Sequence, residues 1–151
     1  MTDYSVLNAQ LAALTEGVPH RTANLANASA LIMECMEGLN WAGFYFIEEG
    51  LLVLGPFQGK TACIEIPYGR GVCGTAAAEN RTVLVPDVHA FPGHIACDSA
   101  SRSEIVVPLH RNGEVSAVLD IDSPVAGRFT EDDKAGLIKL AEAMEETIEW
   151  E

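Results

Sequence analysis

Trp41-Ala42-Gly43-Phe44-Tyr45-Phe46-Ile47-Glu48-Glu49-Gly50-Leu51-Leu52-Val53-Leu54 is the stretch at which the chain changes character. Aromatic and aliphatic residues fill both ends of it, and Glu48-Glu49-Gly50 makes a tight polar connection, so it reads as a β-hairpin. What precedes it has the period of a helix. Tyr4 to Thr15 spaces Leu7, Leu11 and Leu14 helically and stops at Gly17-Val18-Pro19. Arg21 to Glu37 carries Leu25, Ala28, Leu31 and Ile32 and stops at Gly38. Cys35 sits in this second helix beside Met33 and Met36 and reads as a buried thiol.

Beyond the hairpin, short strands alternate with small insertions. Cys63-Ile64-Glu65-Ile66 is a brief apolar stretch, and Gly69-Arg70-Gly71 leads into an alanine-rich helix from Val72 to Glu79. Thr82 to Val85 is a short strand that ends at Pro86. Asp87 to Ser101 follows no regular pattern, and it contains Pro92-Gly93, two histidines and Cys97. An irregular run of that length in a compact domain often carries function. Strands from Ser103 to His110 and Glu114 to Asp122 meet at Arg111-Asn112-Gly113, and Asn-Gly between apolar strands is a strong hairpin signal. Thr130-Glu131-Asp132-Asp133 caps a helix expected to run to the end, with Leu137, Leu140, Ala141, Met144 and Ile148 as its apolar stripe. The order gives an α+β fold in one domain over residues 1–151.

Nine basic residues stand against 22 acidic ones, a net charge of −13. Phosphate contacts need clustered Lys and Arg, so nucleic acid and anionic membranes are poor partners. The acidic residues near the end (Glu142, Glu145, Glu146, Glu149 and Glu151) read as a solvated helix face. No apolar run approaches the roughly 20 residues that span a bilayer, and Met1-Thr2-Asp3-Tyr4 does not open a secretion signal. The expected location is the cytoplasm. Four cysteines at 35, 63, 73 and 97 would there be core thiols, metal ligands or redox catalysts.

Several local sequences point one way together. Asn40-Trp41-Ala42-Gly43-Phe44-Tyr45, Gly59-Lys60-Thr61-Ala62-Cys63, Gly69-Arg70-Gly71-Val72-Cys73-Gly74, Pro92-Gly93-His94-Ile95-Ala96-Cys97-Asp98, Ser103-Glu104-Ile105-Val106-Val107-Pro108 and Val118-Leu119-Asp120-Ile121-Asp122-Ser123 resemble the free methionine-R-sulfoxide reductases. These form a branch of the GAF domain superfamily, and the resemblance runs from the first helix to the last. It implies a GAF-like antiparallel sheet, with the N- and C-terminal helices on one face and loops around a small-molecule pocket on the other. Its most specific part is the cysteine trio, spaced by ten residues from Cys63 to Cys73 and 24 from Cys73 to Cys97.

The resemblance makes Cys97 the attacking thiol and Cys63 a resolving thiol; Cys73, between Gly71 and Gly74, reads as an auxiliary resolving thiol, with a packed core thiol as the alternative. Reducing a sulfoxide requires a thiolate for the sulfur and a proton for the oxygen; the enzyme is left as a sulfenic acid, which a second cysteine condenses to a disulfide. Candidate proton donors are carboxyls. Asp120 and Asp122 stand two apart on a strand and share a face, and Glu104 opens the neighbouring strand. Crowded carboxylates resist joint ionisation, so one can stay protonated as the donor while another receives the ammonium of a free amino acid. Which does which stays open, as does the order in which Cys63 and Cys73 act. Carboxylates beside Cys97 would also disfavour its thiolate. A shared proton, or the backbone N–H groups of Ile95, Ala96 and Cys97, would offset that, and the same amides could hold a substrate carboxylate. Trp41 and Tyr45 share a strand face and are expected to wall the pocket.

By the same resemblance, electrons come from a thioredoxin-like protein, the substrate is free methionine sulfoxide as the R epimer, and a homodimer through helical faces is a possible assembly. No organic cofactor is expected. A metal held by Cys73, His89, His94 and Cys97 is a weaker reading: structural zinc sites usually have tight pairs, and His94 and Cys97 are close enough to qualify while His89 and His94 are five apart. The rival function is a non-catalytic GAF sensor that binds a small molecule. Such a module has no need of three spaced cysteines. His20 and His110 read as surface residues.

Overall fold

The hairpin at Trp41 anchors the sheet. In the computed structural model, which describes residues 1–150, β1 (Trp41–Glu48) and β2 (Leu51–Gly59) pair antiparallel from Glu48–Leu51 to Trp41–Gly59. Glu49 and Gly50 close the turn at φ 49° and 81°, the left-handed pair that a two-residue hairpin loop demands. Strand β2 runs five residues past the apolar run that announced it, because its ladder to β1 continues past Pro56 to Gly59. At Gly43 a side chain would collide with Phe57 Cβ, so glycine there lets the two strands close.

Around this pair are α1 (Tyr4–Thr15), α2 (Arg21–Cys35), β3 (Glu65–Pro67), α3 (Gly71–Glu79), β4 (Val83–Val85), β5 (Ser103–Arg111), β6 (Glu114–Ser123) and α4 (Glu131–Thr147), with one 3-10 turn at Val88–Ala90. The sheet order is β3-β2-β1-β6-β5-β4, and every neighbouring pair is antiparallel. The β5–β6 turn is Asn112-Gly113, at φ 54° and 80°. Thr130 and Asp133 form a reciprocal capping box at the start of α4.

Strand alternation divides the interior into two layers. Ala42, Phe44, Ile105, Val107, Leu119 and Ile121 face α1, α2 and α4, where Leu11, Leu25, Ile32, Leu137, Leu140 and Met144 cover them. Trp41, Tyr45, Val106 and Val118 face the other way, towards α3 with Val72, Cys73, Ala76 and Ala77. Only three helices share the first face, so the second is left to one short helix and to loops. The pocket forms there. No helix among the described residues is long and apolar enough to cross a membrane.

Four expectations need correction. Helix α2 ends at Cys35 rather than Glu37, and α4 ends at Thr147 rather than at the terminus; Glu151 lies outside the described residues. Cys35 is half-buried, its thiol 3.4 Å from Gln10 Oε1, because it occupies the last turn of α2. His110 is not a free surface group: its ring bonds Glu145 Oε2 at 3.0 Å and Asn80 Oδ1 at 2.6 Å.

Candidate functional site

The second face carries acids where a sheet usually carries apolar side chains. Glu104 on β5 pairs across the ladder with Asp122 on β6, and Asp120 pairs with Val106. All three carboxyls therefore point to one face, while Ile105, Leu119 and Ile121 take the other. Glu104 and Asp120 are 8% and 6% exposed. Burial pushes Glu104 and Asp122 well above the usual carboxylate range, and the charges of their acidic neighbours add to it. Asp120 is raised as well, again by burial, but its contacts with Glu104, Cys73 and Asp122 and the charge of His94 favour its ionised form. Three buried acids this close resist joint ionisation, and Asp120 is the one whose neighbours most favour its ionised form.

A narrow cavity of about 30 Å³ lies over these acids, room for a water or two. Trp41, Tyr45, Val72, Cys73, His94, Ile95, Cys97, Asp98 and Ser101 complete much of its wall. Cys97, in that wall, is bonded to Cys63, with Cα atoms 5.3 Å apart. Cys63 is placed by the aromatic pair expected to wall the pocket. The Tyr45 hydroxyl donates to the Cys63 carbonyl at 2.9 Å, and the Trp41 indole N–H donates to the Lys60 carbonyl at 3.1 Å. The two rings stack at 6.0 Å, and burial raises the Tyr45 hydroxyl far above its ordinary value, so it stays a donor.

Cys97 is on irregular backbone, as read from the sequence. Its own N–H donates to the Ile95 carbonyl at 3.1 Å, which removes it from the expected set of free amides. Ile95 faces the cavity, while Ala96 is exposed. Cys73, in the first turn of α3, is 3% exposed and free, its Sγ 4.0 Å from Glu104 Oε2. Cys97 carries no thiol in the disulfide; at Cys73 burial first, then Asp120, Glu104 and Asp122, push the thiol well up.

The combination of an antiparallel sheet, a disulfide over a buried acid trio and helices on the opposite face can be set beside known proteins. The GAF domain model matches residues 7–148. The Escherichia coli free methionine-R-sulfoxide reductase is 54% identical over 145 residues, covering 96% of this chain and 88% of that one. The chain belongs to the free methionine-R-sulfoxide reductases of the GAF family. The reduced form of the Staphylococcus aureus fRMsr superimposes with a TM-score of 0.95 at 48% identity, covering 99% of this chain and 97% of that one. The Neisseria meningitidis free methionine-R-sulfoxide reductase in complex with its substrate gives 0.92 at 46% identity, with 95% and 87% covered.

Within this reductase fold the structure adds residues that the sequence did not single out. Asn40 Nδ2 donates to Asp98 Oδ2 at 2.9 Å and to Ser101 Oγ at 3.0 Å, and Ser101 Oγ donates to Asp122 Oδ2 at 3.1 Å. This relay ties the segment after Cys97 to the acid trio. His94 lines the same cavity, and burial lowers its pKa. His89 turns away and is exposed, bonded to Asp87 at 3.2 Å. With His89 outside and Cys97 in a disulfide, the ligand set weighed for a metal is not assembled. Among the described residues, Asn40 Oδ1, Asp120 Oδ1 and Asp122 Oδ1 are buried acceptors with no hydrogen-bond partner. No spacing rule could have revealed the relay, because its members come together only when residues 40, 98, 101 and 122 are folded.

Proposed function

We infer that the protein reduces free L-methionine (R)-S-oxide to methionine, with Cys97 as nucleophile. The observation that carries this reading is the Cys63–Cys97 disulfide, whose Cys97 lines a cavity with Glu104, Asp120 and Asp122. The Cys97 thiolate attacks the sulfoxide sulfur, and a neutral carboxyl of Glu104 or Asp122 gives its proton to the oxygen. The oxygen ends on Cys97 as a sulfenic acid, and methionine leaves as the thioether. Cys63 then attacks the sulfenic sulfur, one water leaves, and the disulfide forms. Cys73, buried and held as the thiol, is not needed for that step; its part is auxiliary.

The unpaired oxygens supply the substrate's recognition. Buried acceptors without donors cost about 1–3 kcal/mol each, and an ammonium carries three N–H donors. Ionised Asp120 with Asp122 receives that ammonium, while the Ile95 and Ala96 amides serve the carboxylate. Trp41 and Tyr45 hold the methyl thioether end. A peptide bond would remove both charges, so the site selects the free amino acid. A cavity this small cannot take the substrate while the disulfide is closed, so reduction must widen it first.

A disulfide reopened on every cycle needs a dithiol, which a thioredoxin-like protein supplies in a reducing compartment, the cytoplasm. One domain over residues 1–151 carries the activity, and a homodimer through the helical faces belongs to the same reading. The test is thioredoxin-dependent loss of free methionine sulfoxide, resolved by epimer, for wild type and Cys97→Ser. The R epimer disappears with wild type alone. Equal rates for both proteins overturn the assignment, and an inactive wild type that binds a small ligand makes the protein a sensor.

A further inference from the structure

Cys73, Glu104 and Asp120 form a compact donor set of one sulfur and two carboxylates. One ligand atom from each lies within 4.8 Å of the others, and all three residues are buried. A tetrahedral zinc ion with Zn–S near 2.3 Å and Zn–O near 2.0 Å needs ligand separations of about 3.3–3.5 Å. The Cys73–Glu104 pair stands at 4.0 Å, so small side-chain rotations would bring the set to bonding distance. An independent feature points to a ligand here: Asp120 Oδ1, on a residue 94% buried, faces this cavity with no hydrogen-bond partner.

We propose that Cys73, Glu104 and Asp120 form a binding site for a thiophilic divalent cation, Zn²⁺ or Cd²⁺, and that its occupation blocks the acid trio. Binding displaces to solvent the protons that burial holds on Cys73 and Glu104; one thiolate among two carboxylates then suits these ions and disfavours Mg²⁺ and Ca²⁺, which take oxygen ligands. The fourth position opens on the cavity that His94 also lines. A bare cation fits a space of about 30 Å³ that excludes an amino acid. The site is therefore available with the disulfide closed, when no substrate enters. Cation binding goes beyond the reductase reading; only the blockade rests on it.

The disulfide-closed protein gives the clean experiment, because Cys35 and Cys73 are then the free thiols. Titration with Co²⁺, a spectroscopic stand-in for Zn²⁺, produces a thiolate-to-metal charge-transfer band that saturates at one equivalent per chain. Cys73→Ser abolishes the band, Cys35→Ser retains it, and Asp120→Asn weakens binding at least ~10-fold. Circular dichroism checks that each variant folds, and Asp120→Asn decides the matter should Cys73→Ser unfold. Absence of a thiolate band, its survival in Cys73→Ser, or an unmoved affinity in Asp120→Asn overturns the site. None of these readouts needs turnover, so they stand apart from failure of the reductase reading. In the thioredoxin-coupled assay Zn²⁺ raises KM for the sulfoxide with kcat unchanged, and turnover indifferent to Zn²⁺ overturns the blockade.

Discussion

Reduction of the Cys63–Cys97 disulfide should lower the protein's stability by an amount that the chain connectivity sets. The two cysteines are 34 residues apart, and cross-linking a loop of that length removes roughly 12–13 cal/mol/K of entropy from the unfolded chain, about 4 kcal/mol at 25 °C. A domain of this size loses about 2–4 °C of Tm per kcal/mol, so reduction should cost roughly 8–16 °C. Thermal unfolding of the oxidised and reduced protein measures it, with thiol counts fixing the states: two free thiols when oxidised and four when reduced. The gap should persist in Cys73→Ser and vanish in Cys63→Ser. Stability then also becomes a readout of chemistry. One equivalent of free methionine (R)-sulfoxide, added to reduced protein with no reductant left, should restore the higher Tm, while the S epimer should not. Oxidised and reduced forms that melt within 2 °C of each other, or a gap that closes in Cys73→Ser, would refute the reasoning.

Two further expectations concern groups of opposite kinds. Glu104→Gln should reduce turnover on the order of 10²–10⁴-fold and flatten the alkaline loss of stability. Burial raises the folded-state pKa of Glu104, so its favourable contribution is complete below about pH 4.3, its unfolded value, and is lost as pH rises through the folded one. Melting curves from pH 5 to 9 test this, and a wild-type-to-variant difference constant with pH counts against it. Thr130→Ala, far from the cavity, removes the cap bond to the Asp133 N–H at 3.1 Å. It should cost about 1 kcal/mol of stability and leave the reductase assay unchanged.

The sequence made the framework legible wherever local rules govern. Tyr4–Thr15 starts and stops where its leucine spacing and Gly17 say it should, and Asn112-Gly113 adopts the turn its residues require. Period-two alternation also put Asp120 and Asp122 on one face and Trp41 with Tyr45 on theirs. Long-range closure was not legible. Strand β2 extends past its apolar run because β1 supplies a ladder, and no propensity at Pro56 or Gln58 announces that. The role of Asn40 depends on a hydrogen bond to Asp98, 58 residues away. Nor could composition say which thiol would meet the acids. Cys73, at the buried start of α3, is the free thiol that lies among them, while Cys97 is in a disulfide.

That difference between the two thiols has a physical consequence for the proposed cycle. A sulfur that must reach first a substrate and then a partner cysteine needs backbone free of a ladder, and Cys97 lies in the irregular stretch between the turn at Val88–Ala90 and β5. Groups that hold or give a proton need the reverse, a fixed place in a dry setting, because misplacement weakens each contact. Glu104 and Asp122 have that place: they are directly opposed on adjacent strands, and the ladder sets their separation. The Asn40–Ser101–Asp122 relay joins the two parts, since Asn40 holds Asp98 beside Cys97 and, through Ser101, the rigid acid. In that proposed cycle the relay would tether the Cys97 segment at its C-terminal end, so the widening that admits substrate is expected on the Cys63 side.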